Sequence, residues 1–288
     1  MSLVGRLVFA LLDGTVSALV LALTALGLSL VFGVMRIVNV AHGEFFMLGA
    51  VLAWYFSTLT GGFLPALLAA PLVVGAVALL ADRLVLRRLA YDPESTIVAT
   101  IGLLYIIQQL VLTVYGPFAR PVTPPFYFRV DLPWFGYSGY KLVVGGVSAL
   151  LLWAAWLAVS KTTLGLYMRA TQQDREMAQA FGVPVGRVYS AAFFLGAVLA
   201  GAAGALMVPA QQAHYLMGLE PLLLSFVVVI IGGLGSLKGT LVAAFIIGIG
   251  DGLVSVFFSP TLAKIVATLA VALVLVVRTG GLFGEETA

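Results

Sequence analysis

Long apolar runs separated by short polar stretches organise this chain. They fall near residues 12–34, 40–60, 63–86, 96–115, 141–160, 188–209, 220–257 and 261–278, and each is continuous rather than alternating. About 20 apolar residues in a helix cover the roughly 30 Å of hydrocarbon in a bilayer. Only helices or closed barrels cross that layer with every backbone group paired, and a barrel strand would alternate apolar and polar residues. The pattern predicts an all-α, polytopic helical membrane protein. The run 220–257 is too long for one crossing and is interrupted by GGLGS at Gly232 to Ser236, so it reads as two helices or one broken helix. The expectation is eight or nine transmembrane segments, some broken, in a single domain over residues 1–288.

Composition agrees. Of 288 residues, 62% are hydrophobic and 9% charged, with mean hydropathy +1.13. Soluble domains carry about 25% charged residues and cannot hide so much apolar surface. Arg6 precedes the first run, and Ala22-Leu23-Thr24 resembles a weak cleavage region, but the run continues to Val34, too long for the core of a signal peptide. It reads as a retained first helix. The chain has no cysteine, so disulfides and thiolate metal sites are excluded. A dispersed net charge of +3 argues against nucleic acid. His42 and His214 lack metal-ligand spacing, and no G-x-S-x-G occurs. A non-catalytic chain without cofactor is expected.

Two connections carry orientation. Residues 116–140 hold five prolines, which forbid a long helix, and Trp134, Tyr137 and Tyr140 suit a headgroup belt. Residues 161–187 hold four basic residues, and Arg83, Arg87 and Arg88 crowd the third connection. The positive-inside rule puts 87–95 and 161–187 in the cytoplasm and 116–140 outside. Arg278 suggests a cytoplasmic C-terminus; the side of the N-terminus depends on whether 40–60 is a full crossing. On 188–209, Gly196, Ala200 and Gly204 form a stripe beside Ala197, Gly201 and Ala205, which predicts a helix packed against others.

Three stretches hold candidate chemistry. In the first, Val34 to Ala50, the polar residues Arg36, Asn39, His42 and Glu44 lie between apolar runs. A charge at membrane depth costs on the order of 2.5–3.5 kcal/mol, so such groups face a cavity or a partner. Asn39 is suited to cap a helix, Glu44 to its first turn, and Gly43 to a close backbone approach. A broken helix beside a translocation path and a capped helix start at the cytoplasmic interface both fit. The second stretch, Val227 to Gly248, contains Gly232, Gly233, Gly235, Ser236, Lys238 and Gly239 but lacks a phosphate-loop pattern. The glycine-interrupted segments near 33–49 and 232–248 suggest paired breaks of an internal repeat. Asp251 and Asp13 add charges within apolar runs. In the third stretch, Arg169 to Gly182, Thr171 and Asp174 mark a helix start, Gly182 a C-terminal cap, and Pro184 a stop. Ala170, Met177, Ala178 and Phe181 fall near one face, with Gln172, Arg175 and Gln179 on others. This amphipathic helix lies on lipid or docks on a soluble partner.

GLSLVFGVMRIVNVAHGEFFMLGA (Gly27 to Ala50) resembles the signature of the bacterial high-affinity branched-chain amino acid ABC permease family, first-permease branch. Thr96 to Leu110, Gly165 to Val183, Phe226 to Gly248 and Arg278 to Gly284 match that family in order. The resemblance implies a type II-like importer permease in the bacterial inner membrane, paired with a second permease. Two cytoplasmic ATP-binding subunits would sit beneath, and a periplasmic solute-binding protein would deliver substrate. It implies that 161–187 is a cytoplasmic coupling loop, with Arg169, Asp174, Glu176, Met177, Phe181 and Gly182 meeting the ATPase. Asn39, His42, Glu44, Gly232, Gly233, Gly235 and Ser236 would lie near the path. The family includes urea and short-amide permeases. From the residues alone, a self-contained secondary transporter is the alternative.

Overall fold

The computed structural model describes residues 2–277 and 281–283. It is almost wholly helical, and among the described residues six helices are long and apolar enough to cross a membrane. Two of these form the centre. Helix α1 (Leu3–Met35) begins where the Ser2 hydroxyl accepts the Gly5 N–H at 3.1 Å. Helix α8 (Val185–Gln211) is the other. The most apolar 18-residue windows of α1 and α8 are 83% and 72% buried, against 22% for α4 (Pro93–Tyr115) and 28% for α5 (Gly139–Lys161). The small-residue stripe explains the difference. Gly27 of α1 meets the Gly196 backbone, and Gly204 meets the Phe46 carbonyl of α2 (His42–Thr60), where no side chain fits. Close backbone approach of this kind holds helices together in lipid, where burying apolar surface supplies no drive.

Around this centre, α2 and α3 (Phe63–Leu84) pack on α8, while α9 (Leu219–Gly232) and α10 (Leu237–Phe257) pack on α1. Helix α11 (Pro260–Val277) lies on α9 and α10. The run 220–257 is thus two helices. Helix α9, at 14 residues, covers about 21 Å and falls short of a full crossing.

The two faces separate as the basic residues indicate. A short 3₁₀ turn, Leu86–Leu89, sits beside the start of α8, with Arg87 donating to Ser190 at 3.0 Å. Next to it lie α6 (Thr163–Gln173) and α7 (Arg175–Ala180). Loop 116–140 occupies the opposite face and joins the ends of α1 and α8 there. Phe9 stacks edge-on against Phe135 at 5.3 Å, and Arg120 pairs through its backbone with Ala213. The start of α1 therefore lies on the 116–140 face. Arg278 falls outside the described residues.

Loop 116–140 departs from the sequence expectation in two ways. It contains a small antiparallel hairpin, Arg129–Asp131 with Gly136–Ser138, the one strand pair among the described residues. Trp134 is exposed as a belt residue should be, but Tyr137 and Tyr140 are buried. Their hydroxyls donate to Asp13 at 2.9 Å and to the Leu206 carbonyl at 2.7 Å. Lys141 completes the first contact, its ammonium 2.5 Å from the Asp13 carboxylate. Burial, then Asp13, push the Tyr137 phenol above its ordinary range, so it remains a donor.

Gly49 of α2 meets the backbone of Gly201 on α8 with no space for a side chain. Gly49→Leu should cost at least the ~1–3 kcal/mol of ordinary overpacking. Size-exclusion chromatography in detergent should show a loss of monodisperse protein. The same change at Gly102, an exposed position of α4 with open space around it, should leave the elution profile unaltered.

Candidate functional site

The first polar stretch forms a re-entrant break. Helix α1 ends when Arg36 adopts φ 55, a left-handed conformation unusual for a side chain of this size, and its N–H donates to the Phe32 carbonyl at 2.8 Å. Residues 36–41 then run back alongside α1 without helical structure. His42 opens α2, and its ring Nε2 lies 2.9 Å from the Thr24 carbonyl. Thr24 precedes Met35 by 11 residues, so α2 starts about 16 Å inside the end of α1. Asn39, His42 and Glu44 are all completely buried. The interrupted-helix reading of this stretch is the one the geometry bears out.

The capping chemistry differs in detail. Asn39 accepts an N–H at 3.1 Å, but from Ala41, two residues on and ahead of the helix. Helix α2 has no side-chain cap; the backbone carbonyls of Asn39 and Ala41 accept the His42 and Glu44 N–H groups at 3.3 and 3.0 Å. Glu44 does occupy that first turn, and its Oε1 accepts from Gln108 of α4 at 2.9 Å. Thr100 of α4 accepts the Val40 N–H at 3.2 Å. Asn39 Nδ2, His42 Nδ1 and Glu44 Oε2 have no partner among the described residues.

The counterpart of this break is not the glycine-rich segment. Helix α8 ends as α1 does, with a non-glycine residue at positive φ: Gln212, φ 63, donates its N–H to the Val208 carbonyl at 2.8 Å. Residues 212–218 re-enter from the opposite face, and α9 begins where Gly218 meets the backbone of Gly43. The paired breaks are 36–41 and 212–218. The turn Gly232–Ser236 is a plain connection between α9 and α10, with Gly233 and Gly235 at φ 98 and 80. Ser236 caps α10 by accepting the Gly239 N–H at 3.1 Å. Gly232 packs on Gly239, and the Ile231 and Gly232 carbonyls accept the N–H groups of Leu282 and Phe283 at 2.7 and 3.2 Å.

Asn39, His42 and Glu44 are therefore together, but Gly232, Gly233, Gly235 and Ser236 lie elsewhere, at the end of α1. There they meet loop 161–187. Gly235 rests on the Cα of Gly33 and accepts from the Gln172 side chain at 3.2 Å. A cleft of about 180 Å³ opens beside this contact, lined in part by Ser29, Arg169 and Lys238.

Loop 161–187 is two helices rather than one. Thr171 does not start a helix; it lies in the last turn of α6, its hydroxyl bonded to the Tyr167 carbonyl at 2.8 Å. Asp174 is the break, capping α7 by accepting the Glu176 and Met177 N–H groups at 2.9 and 3.0 Å. Gly182, φ 83, closes α7 as its sequence position indicates. The apolar residues do not share one face. Ala178 is buried, while Met177 and Phe181 are 57% and 83% exposed. The Arg175 guanidinium stacks on Tyr189 of α8 at 5.6 Å, and Arg169 donates to the Val159 carbonyl, which fixes both short helices to the membrane part. Glu176 is exposed.

Sequence reading did not single out Gln108 and Thr100, because a lone Gln or Thr in an apolar helix has no motif. It also passed over Glu220 and Lys264, paired at 3.0 Å on α9 and α11 with both side chains more than half exposed. A charge inside an apolar run was the available signal. Asp251 of α10 is partly exposed. Among the described residues, no three His, Asp or Glu side chains gather in metal-holding geometry.

No solved structure matches this chain. Curated proteins do. The chain is 27% identical over 290 residues to the high-affinity branched-chain amino acid transport system permease protein LivH of Escherichia coli K12, covering 92% of this chain and 91% of that one. It is 29% identical over 251 residues to a probable LivH of Methanocaldococcus jannaschii, covering 83% and 78%. With BraD of Pseudomonas aeruginosa the identity is 24% over 295 residues, covering 96% and 95%. Residues 10–277 match the family described as the permease component of the branched-chain amino acid transport system. Interrupted helices that meet in the interior, a multi-pass membrane body and this match over nearly the whole length agree: the chain is a transport permease of the branched-chain amino acid transport system family.

Proposed function

We propose that this chain is the transmembrane permease subunit of an ATP-driven importer for branched-chain or related amino acids in a bacterial inner membrane. Residues 1–288 act as one permease domain. A second permease completes the translocation path, two cytoplasmic ATP-binding subunits drive it, and a periplasmic binding protein delivers the solute. The substrate class comes from the printed names of the relatives.

One observation carries the assignment of the motor-facing surface. Helix α7 is capped at both ends and held on α8, yet it presents Met177 and Phe181 to the outside, on the face that also bears Arg87 and Arg88. Exposed aromatic and methionine side chains on a fixed short helix are what a protein groove takes up. Asp174 and Gly182 shape this helix, Arg169 anchors α6 beneath it, and Glu176 offers a charge at its rim. The residues Asn39, His42 and Glu44 are the path candidates: three fully buried polar side chains stand together at the helix break, each with an atom that has no partner among the described residues, at a cost of about 1–3 kcal/mol each. For Gly232, Gly233, Gly235 and Ser236 the role that fits is support of the coupling face rather than contact with solute.

Purification of the tagged chain from its host membrane should bring down nucleotide-binding subunits and a solute-binding protein. Solute movement in liposomes by the chain alone would sink the proposal. Phe181→Asp should weaken ATPase-subunit binding by about 30-fold, the weight of an interface hot spot of about 2 kcal/mol, with Met177→Asp in the same direction. Glu44→Ala should reduce uptake while leaving assembly intact; uptake kinetics identical to the parent protein would reduce Glu44 to a structural residue.

A further inference from the structure

We infer that Gln172 is the positioning residue that carries movement of the coupling loop into the membrane part. The inference rests on the reading of 161–187 as the loop that meets the ATPase. Helix α6 is seated on the body through its buried Gly165, Met168 and Thr171. Gln172, at its last turn, is partly buried and bonded on both sides. Its side-chain amide donates to the Gly235 carbonyl at 3.2 Å, in the turn that joins α9 to α10. Its own backbone carbonyl accepts from the Arg36 guanidinium at 3.3 Å. The same amide nitrogen sits 3.4 Å from where a side chain on Gly33 would begin, and Gly33 itself touches Gly235.

Three segments thus meet at one residue: the loop and the α9–α10 turn through its side chain, and the end of α1 through its backbone carbonyl. The last of these matters most. Arg36 begins the 36–41 segment that leads directly to Asn39, His42 and Glu44. A shift of α6 therefore reaches the buried polar stretch through Arg36 and reaches α9, whose start touches Gly43, through the turn. The neighbouring cleft of about 180 Å³ borders α6 at Met168, Arg169 and Gln172, so at this end of the helix hydrogen bonds tie it to the end of α1 and to the α9–α10 turn. The glutamine is suited to this. It offers an N–H donor on a flexible stem at the half-buried joint.

The test uses the whole complex, purified through a tag on this chain and reconstituted with its binding protein, and measures solute moved per ATP hydrolysed. Gln172→Met keeps the length of the side chain and removes the donor. It should retain the ATPase subunits and their basal hydrolysis but lower solute per ATP about fivefold, the factor one ordinary hydrogen bond carries. Gln172→Lys keeps a donor and should restore most of the coupling. If the Met variant is not itself recovered as folded protein from the membrane, Arg36→Met removes the other bond at the same joint and is read in the same way. Parent-like solute per ATP in the Met variant, or equal loss in Met and Lys variants, would overturn the inference. So would loss of the ATPase subunits from the Met variant, which would make Gln172 a docking residue. The underlying reading fails separately, and visibly, if Phe181→Asp leaves ATPase binding unchanged.

Discussion

The contact between Gly43 and Gly218 makes the rest of this architecture compatible with lipid. Two helices stop, two short segments turn back into the bilayer, and each leaves backbone groups that hydrocarbon cannot satisfy. Such irregular backbone survives at membrane depth only where protein or water covers it. Here the two re-entrant segments cover each other. They come from opposite faces and bring the starts of α2 and α9 together, with the Gly218 carbonyl lying where a side chain on Gly43 would stand. The helices they open then exchange supports, α2 packing on α8 and α9 on α1. The starts of the two re-entrant helices touch, and each helix packs on the central helix of the opposite half.

This arrangement explains which features were legible in the sequence. The long helices were, because a continuous apolar run of about 20 residues matches the bilayer; their number was not, since six described helices are long enough to cross against the eight or nine expected, and α2 and α9 begin inside the fold. The stripe Gly196-Ala200-Gly204 was also legible, since small residues four apart have one use in lipid. The pairing of the breaks was not. GGLGS at Gly232 to Ser236 is the loudest glycine signal on the chain, and it marks an ordinary turn. The break that matters opens at Gln212, and its twin at Arg36. Both adopt positive φ without being glycine. No local pattern announces that conformation; it is imposed by the tertiary contacts on either side. Tyr137 and Tyr140 were misplaced for a related reason. A phenol suits either a headgroup belt or a buried acceptor, and only the position of Asp13 and of the Leu206 carbonyl decides between them.

The polar stretch is held unevenly. On one side His42 is fixed to α1, the most buried helix of the fold. On the other, Thr100 and Gln108 come from α4, the least buried of the long helices. Few packing contacts oppose a displacement of α4, whereas moving α1 would disturb the glycine contacts with α8 and α10. A displacement that would uncover Asn39 and Glu44 therefore meets least packing on the α4 side.

The two regions of interest are also distinct in kind. At the end of α1 the Gly33–Gly235 backbone contact is accompanied by hydrogen bonds from side chains to loop backbone, beside a cleft. About sixteen ångströms further in, the contacts are backbone against backbone with no space between. Hydrogen bonds at a hydrated rim rearrange at small net cost, because water replaces the lost partner; a glycine-to-glycine contact admits neither water nor a side chain. Motion imposed on this chain from the 161–187 face is thus absorbed first at the rim. What passes inward would travel along residues 36–41 and along α9, whose start touches Gly43 and whose end leads into the Gly235 turn.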